Sequence, residues 1–346
     1  MGGKTPACRF HKRDAGQEMG GAFMVKAVRV HETGGPEAMR VEEIELPPPG
    51  RGEVLIRNHA IGVNFIDVYF RKGDYPAPLP FTPGNESAGE VIEVGKGVKS
   101  VKVGDRVASL ATLGGYAEAR IVNEDRLIKL PKGFPYDVAA AMLLKGLTAQ
   151  YLVRRTFKVK AGDTILVHAA AGGVGLILCQ WARALGAHVI GAVGTREKAK
   201  LAKKAGARHV ILYREEDFAA RVKEITKGAL CDVVYDGVGK ATFPASLDCL
   251  KPLGMFVSFG SASGPIEAFD IGLLAAKGSL FATRPSLNTY AAKREDLVKM
   301  ARDLLRVVKN GDVTIPLHGT YPLDDVASVH RALEARETTG AMVLIP

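Results

Sequence analysis

His168-Ala169-Ala170-Ala171-Gly172-Gly173-Val174-Gly175 follow the apolar run Ile165-Leu166-Val167 and lead into Leu176-Ile177-Leu178-Cys179-Gln180-Trp181-Ala182-Arg183-Ala184-Leu185, where the apolar spacing changes from strand to helix. A tight strand-to-helix turn of small residues lets the backbone approach a pyrophosphate. It also aims the helix's free N–H groups and positive dipole end at that charge. Ala170, Gly172 and Gly175 occupy the three small-residue positions of a G-x-G-x-x-G pattern, with alanine in the first. Glycine clusters also mark ordinary turns, so context decides. Residues 186–193 read as the second parallel strand of a βαβ unit of about thirty residues. The stretch is a dinucleotide cradle, with Gly173 and Val174 among its backbone contacts.

The end of that second strand indicates which dinucleotide. A site for the unphosphorylated cofactor places Asp or Glu about 20 residues past the glycines, where it accepts from the ribose 2′-OH. Here the strand ends in Gly194-Thr195-Arg196-Glu197-Lys198-Ala199-Lys200. A small residue followed by cations attracts a 2′-phosphate that a carboxylate would repel. NADPH is therefore the expected cofactor, with Thr195 and Lys198 at its 2′-phosphate and Lys200 on the solvated face of the next helix.

The 346 residues can bury a large core and divide into two domains. No apolar stretch reaches the roughly 18 to 20 residues a membrane-spanning helix needs. Cys8, Cys179, Cys231 and Cys249 are scattered, with neither the clustering of a disulfide framework nor that of a structural zinc site, so a reducing cytoplasm is expected. The net charge of +10 permits an RNA role. No compact basic run with aromatics favours one, and the cations are interleaved with acids, as in Arg214-Glu215-Glu216-Asp217. Residues 1–23 are polar and glycine-rich with no secretory h-region. They read as a mobile extension or a start-site artefact.

Strand-like runs with glycine turns fill residues 25–30, 41–46, 53–61, 86–94, 106–109 and 116–122, which makes a β-barrel-like module. A helical pattern covers 135–152. From about 160 to 283 strands and helices alternate, with a helix expected around 243–249 and a strand over 255–259, as in a doubly wound parallel sheet. A long helix (293–310), a strand near 319–322, a helix (324–336) and a strand (341–345) complete the pattern.

This layout resembles the medium-chain dehydrogenase/reductase superfamily, and local motifs narrow it to the zinc-free quinone oxidoreductase branch, the zeta-crystallin-like proteins. The resemblance runs from Met24 to Pro346. It is carried by residues 64–76, Pro83-Gly84-Asn85-Glu86-Ser87-Ala88-Gly89, Leu144-Lys145-Gly146-Leu147-Thr148-Ala149, the cradle, residues 258–264, Arg284-Pro285-Ser286-Leu287 and residues 340–346. It implies an α/β fold: a GroES-like β-barrel catalytic domain over 24–146 and 284–346, and a Rossmann NADPH-binding domain over 147–283. Positions that hold catalytic zinc in the alcohol dehydrogenases of the superfamily correspond here to Asn64, Asn85 and Lys145. Two carboxamides and an ammonium offer zinc no thiolate or imidazole, so no metal is expected.

Without a Lewis acid the substrate must itself delocalise the charge a hydride brings, as a quinone or an enone does. Asn64 and Tyr69 are the expected polar contacts to it. Asp67, the third candidate, reads with Arg71 more as a residue behind the contacts or a structural one; turn capping is the other reading for Asn64 and Asp67, and a half-buried core aromatic for Tyr69. The resemblance further implies cofactor contacts from Lys145, Thr148, Tyr213, Phe259, Gly260, Ser261 and Arg336. The activity implied is NADPH-dependent quinone reduction. The alternatives are 2-alkenal or enone double-bond reduction, and a non-catalytic NADPH-binding protein of crystallin-like or RNA-binding type. A strand over 279–283 is expected at the edge of the parallel sheet, where an apolar edge would recruit a second copy into a homodimer through the Rossmann domains. Leu280 is read as a ladder donor on that edge.

Overall fold

The structure is a computed structural model and describes residues 22–346. Most of the 1–23 extension lies outside the described residues. Phe23, assigned to it from sequence, opens the first strand instead.

Two compact units emerge. The first comprises the described residues through Ala141 with Gly319–Glu337 and Met342–Pro346, and the second comprises Met142–His318 with Thr338–Ala341. In the first unit β1 (Phe23–Val30) and β2 (Met39–Leu46) form an antiparallel pair in full register. Then come β3 (Glu53–Val63), helix α1 (Phe65–Lys72), β4 (Glu86–Val94), β5 (Arg106–Leu110), β6 (Ala119–Asn123) and β7 (Leu127–Lys129). Helix α2 (Tyr136–Tyr151) carries the chain across the boundary between the units. Val54, Ile56, Val91, Val107, Val122 and Leu127, on alternate positions of their strands, bury together as one core. The sequence reading had not resolved α1 or β7. Helix α1 begins at Asn64, whose backbone N–H is accepted by the Asp67 carboxylate at 2.9 Å, and ends at Gly73 in the left-handed conformation.

The second unit runs β8 (Thr164–His168), α3 (Gly173–Ala184), β9 (His188–Val193), α4 (Arg196–Lys204), β10 (His209–Leu212), α5 (Phe218–Ile225), β11 (Cys231–Asp236), β12 (Leu250–Ser258), α6 (Gly272–Ala276), β13 (Phe281–Thr283), α7 (Leu287–Tyr290) and α8 (Arg294–Lys309). The strands order as β10-β9-β8-β11-β12-β13, with every pair parallel. Counted from β8 this is the 3-2-1-4-5-6 order of a dinucleotide-binding sheet, whose switch point falls between β8 and β11. β14 (Leu317–Pro322), α9 (Val326–Glu334) and β15 (Ala341–Ile345) return to the first sheet, whose order is β14-β15-β3-β4-β5-β7 with β6 also paired to β3.

Three expectations are corrected. Residues 284–318, assigned from sequence to the barrel, belong to the nucleotide unit. The reason is packing: Tyr290 stacks on Tyr151 with ring centres 4.5 Å apart, Gln150 Nε2 donates to Asp303 Oδ2 at 3.1 Å, and Leu304 occupies the space that a Cβ at Gly146 would need. The helix expected around 243–249 is only a 3-10 turn over Ala245–Cys249, preceded by Pro244. Leu280 is no ladder donor: it is buried in the core with Phe256 and Leu247, and its N–H donates to Leu274 O at 2.9 Å. The edge strand itself is β13, as expected from its pattern. No described helix is long and apolar enough to cross a membrane.

Candidate active site

The cradle is built by exclusion of side chains. Ala169 takes a left-handed φ of 52° at the end of β8, and Gly172 stands extended as the N-cap of α3 with no side chain to cap it. The first-turn amides of Gly173, Val174 and Gly175 are thus left for an incoming anion. A Cβ on Gly175 would lie 2.3 Å from Ala169 O and 2.9 Å from Ala170 Cα, so helix and turn touch only because that residue is glycine. Ala170 donates its N–H to Ala192 O of β9 at 3.2 Å, which ties turn to sheet. Lys145 lies across the cradle, since a Cβ on Gly173 would meet its Cδ at 2.9 Å. Thr148, one turn further along α2, donates its hydroxyl to Leu144 O.

A second cluster forms where β9 and β10 end. Thr195 Oγ1 caps α4 by accepting from Lys198 N at 3.3 Å. Gly194 faces Tyr213, whose hydroxyl is 2.8 Å from the place of a Cβ there, and Arg214, whose Nε is 3.3 Å from it. Thr195, Lys198 and Tyr213 are therefore brought together, and the structure adds Arg214. Sequence reasoning missed it by reading it as one charge in an acidic run. Arg196 turns away to pair with Glu215 at 3.2 Å. Phe259 and Gly260 follow β12 and both donate N–H groups to Asp236 O, while Ser261 caps a turn to Gly264. Asp236 is structural: its Oδ1 accepts from Val238 N and Gly239 N, and its Oδ2 from Thr242 Oγ1 at 2.6 Å. Arg336, exposed in the left-handed region after α9, belongs to the other unit.

In the first unit the groups are held by one another. Asn64 Nδ2 donates to Glu86 Oε1 at 2.8 Å, which fixes the carboxamide's orientation and leaves the buried Oδ1 without a partner. Asn85 Nδ2 donates to Asp67 Oδ1 at 2.6 Å, and Tyr116 OH donates to Asp67 Oδ2 at 2.8 Å. The Asp67 carboxylate is thus fully buried and engaged by three donors. The Asn64 N–H bond is the capping geometry at the start of α1. Tyr69 is half-buried in an aromatic group, with ring centres 5.4 Å from Phe65 and 5.2 Å from Tyr75. The partly exposed Tyr75, unremarked from sequence, is the third member.

A family model described as "Alcohol dehydrogenase GroES-like domain" matches residues 50–132, and one described as "Zinc-binding dehydrogenase" matches residues 173–301. A quinone oxidoreductase of Pseudomonas aeruginosa is 49% identical over 325 residues, covering 93% of this chain and 100% of that protein. The chain belongs to the quinone oxidoreductase branch of the medium-chain dehydrogenase/reductase superfamily. Within this branch, the crystal structure of Escherichia coli quinone oxidoreductase complexed with NADPH matches with a TM-score of 0.91 at 46% identity, covering 93% of this chain and 100% of that one. A 2-haloacrylate reductase of Burkholderia sp is 46% identical over 335 residues, covering 93% of this chain and 99% of that protein.

The zinc that the second family description implies does not fit these residues. At two of the three positions the carboxamide N–H groups are already turned to Glu86 and Asp67, and the third is the ammonium of Lys145. Among the described residues no group of three His, Cys, Asp or Glu is placed to hold a metal ion.

Proposed function

We propose that this quinone oxidoreductase family member reduces quinones with NADPH. The observation that carries the reading is the cradle at α3, where uncapped N–H groups and a glycine with no room for a Cβ receive a pyrophosphate. The cluster of Thr195, Lys198, Tyr213 and Arg214, with no carboxylate at the end of β9, receives the 2′-phosphate. Lys145, Thr148, Phe259, Gly260 and Ser261 line the remainder, and Arg336 is assigned to the 2′-phosphate by the family resemblance. When bound, NADPH supplies the hydride. The chain's own task is orientation, because a quinone already delocalises the charge it receives.

Asn64, its carboxamide oriented by the Glu86 bond, is the proposed substrate contact; a quinone's carbonyl oxygens only accept, so its acceptor Oδ1 serves the hydroxyl of the hydroquinone product. Tyr69 and Tyr75 present ring faces suited to a flat aromatic. The test is a panel of p-quinones, o-quinones, 2-alkenals and 2-haloacrylates under NADPH, followed by loss of cofactor absorbance. Quinones should give the highest kcat/KM. Preference for the alkenal or haloacrylate would overturn the quinone assignment and favour double-bond reduction, for which the Burkholderia relative is the precedent.

The reading includes a homodimer through β13. This edge strand bears Phe281, 56% exposed. A second copy pairing the same edge would cover it. Light scattering should report a dimer at micromolar concentration, and Phe281→Glu should give monomers. A monomeric parent protein would refute it. A cytoplasmic location completes the reading and rests on the free thiols Cys179, Cys231 and Cys249, tested by localising a tagged chain.

A further inference from the structure

Beneath Asn64 and Asn85 lies a layer of buried polar groups whose hydrogen-bond directions can be worked out. Tyr116 precedes β6 and is fully buried. Its ring presses on Gly84, where φ is +97° and a Cβ would lie against Tyr116 Cδ1. Its hydroxyl is 2.8 Å from Asp67 Oδ2 and 3.0 Å from His330 Nε2 on α9. Asp67 also accepts from the Asn64 N–H and the Asn85 carboxamide, so it acts as acceptor on every side and takes the single Tyr116 proton. His330 must then donate through Nε2–H, which leaves Nδ1 bare. Nδ1 indeed has no partner in the structure. Burial first, and the neighbouring Arg71 second, pull His330 down to about 3, so the ring stays neutral. Donation therefore runs one way, from His330 to Tyr116 to Asp67.

We propose that Tyr116, completed by the Nε2–H form of His330, is a positioning residue that sets Asn64 and Asn85 through Asp67. The proposal rests on the reading that Asn64 contacts the quinone. Without the Tyr116 hydroxyl, Asp67 Oδ2 loses one of its donors, and the carboxylate is less firmly held toward Asn85. Substrate geometry is then lost while the nucleotide cradle, in the other unit, is untouched.

Four variants test it: Tyr116→Phe, His330→Leu, His330→Gln and, as the control on the underlying reading, Asn64→Ala. Quinone kcat and KM, NADPH dissociation constants from cofactor fluorescence, and melting curves are measured for each. Tyr116→Phe should lower quinone kcat/KM by about ten-fold or more, as for a lost bond to a charged group, with the NADPH dissociation constant held within about two-fold. His330→Leu should lose activity in the same direction. His330→Gln, which retains an N–H where Nε2 stood, should recover most of that loss. If Asn64→Ala is impaired while Tyr116→Phe matches the parent, the positioning role is wrong and the Asn64 reading stands. If Asn64→Ala also matches the parent, that reading fails and takes the proposal with it. Should Tyr116→Phe not fold, the His330 pair decides, and equal activity of the Gln and Leu variants overturns the inference. Nitrogen-15 NMR showing a protonated Nδ1 on His330 would overturn it as well.

Discussion

On the proposed reading, the two units recognise their ligands by opposite means. The nucleotide unit works through what is missing: no Cβ at Gly175, no capping side chain at Gly172, no carboxylate where β9 ends. The barrel unit would work through what is present, a buried relay in which Asn64, Asn85 and Tyr116 all donate to Asp67 and His330 bonds to Tyr116. A backbone cradle is spoiled only by adding bulk, whereas a side-chain relay is spoiled by removing any one partner.

The sharpest way to break this contrast is to add bulk at the cradle. Gly175→Val forces a side chain into Ala169 O and should weaken NADPH binding by more than about a hundred-fold, read by fluorescence titration. Binding within ten-fold of the parent would show that the cradle is not where the pyrophosphate rests. Next in size is Lys198→Ala. It removes a charge-assisted contact worth about 1.5–3 kcal/mol, so the KM for NADPH should rise while that for NADH barely moves. Equal movement of both would detach Lys198 from the 2′-phosphate.

The relay makes its own prediction in acid. His330 is held near 3 when folded against about 6.5 when unfolded, so the unfolded chain binds the proton first and stability falls as pH drops below about 6.5. Between pH 7 and 5 this one ring should cost about 2 kcal/mol. His168, also held down by burial, adds to the loss with the same sign. Urea midpoints at the two pH values should differ less in His330→Gln than in the parent, and parallel curves would contradict the neutral buried ring. Smaller still is Arg214→Ala. An exposed cation contributes roughly 0.2–1 kcal/mol, so NADPH affinity should fall only a few-fold and the loss should fade at high salt. The smallest effect is none at all. Exhaustive chelation should leave quinone turnover unchanged, and a stoichiometric zinc found by elemental analysis would overturn the reading of Asn64, Asn85 and Lys145.

The same contrast explains what could be read from the chain. The cradle was legible because a backbone site imposes its composition on neighbouring residues, and the alternation of strands and helices after residue 160 followed from local periodicity. The place of Thr195 and Lys198 at the start of α4 was legible for the same local reason. The relay was not. Tyr116 lies 49 residues from Asp67 and His330 lies 214 residues from Tyr116, and nothing near either marks it as polar-bonded. Helix α1 carried its signals, Asn64, Asp67 three residues on, and Gly73, but eight residues are too few for an apolar period to stand out. The extent of the nucleotide unit was misjudged because Tyr290 and Leu304 reveal their partners, Tyr151 and Gly146, only in three dimensions.

Strand β15 sits inside the barrel sheet, between β14 and β3, and α9 brings His330 to the relay. Both follow residues 142–318 in the chain and are made after them. The Ile61–Val63 edge of β3 must therefore wait unpaired for β15, while residues 142–318 can close their own sheet on the way. During synthesis the barrel, not the nucleotide unit, is the part that needs shielding from other chains, and pulse-proteolysis of stalled nascent chains should find it cleaved first.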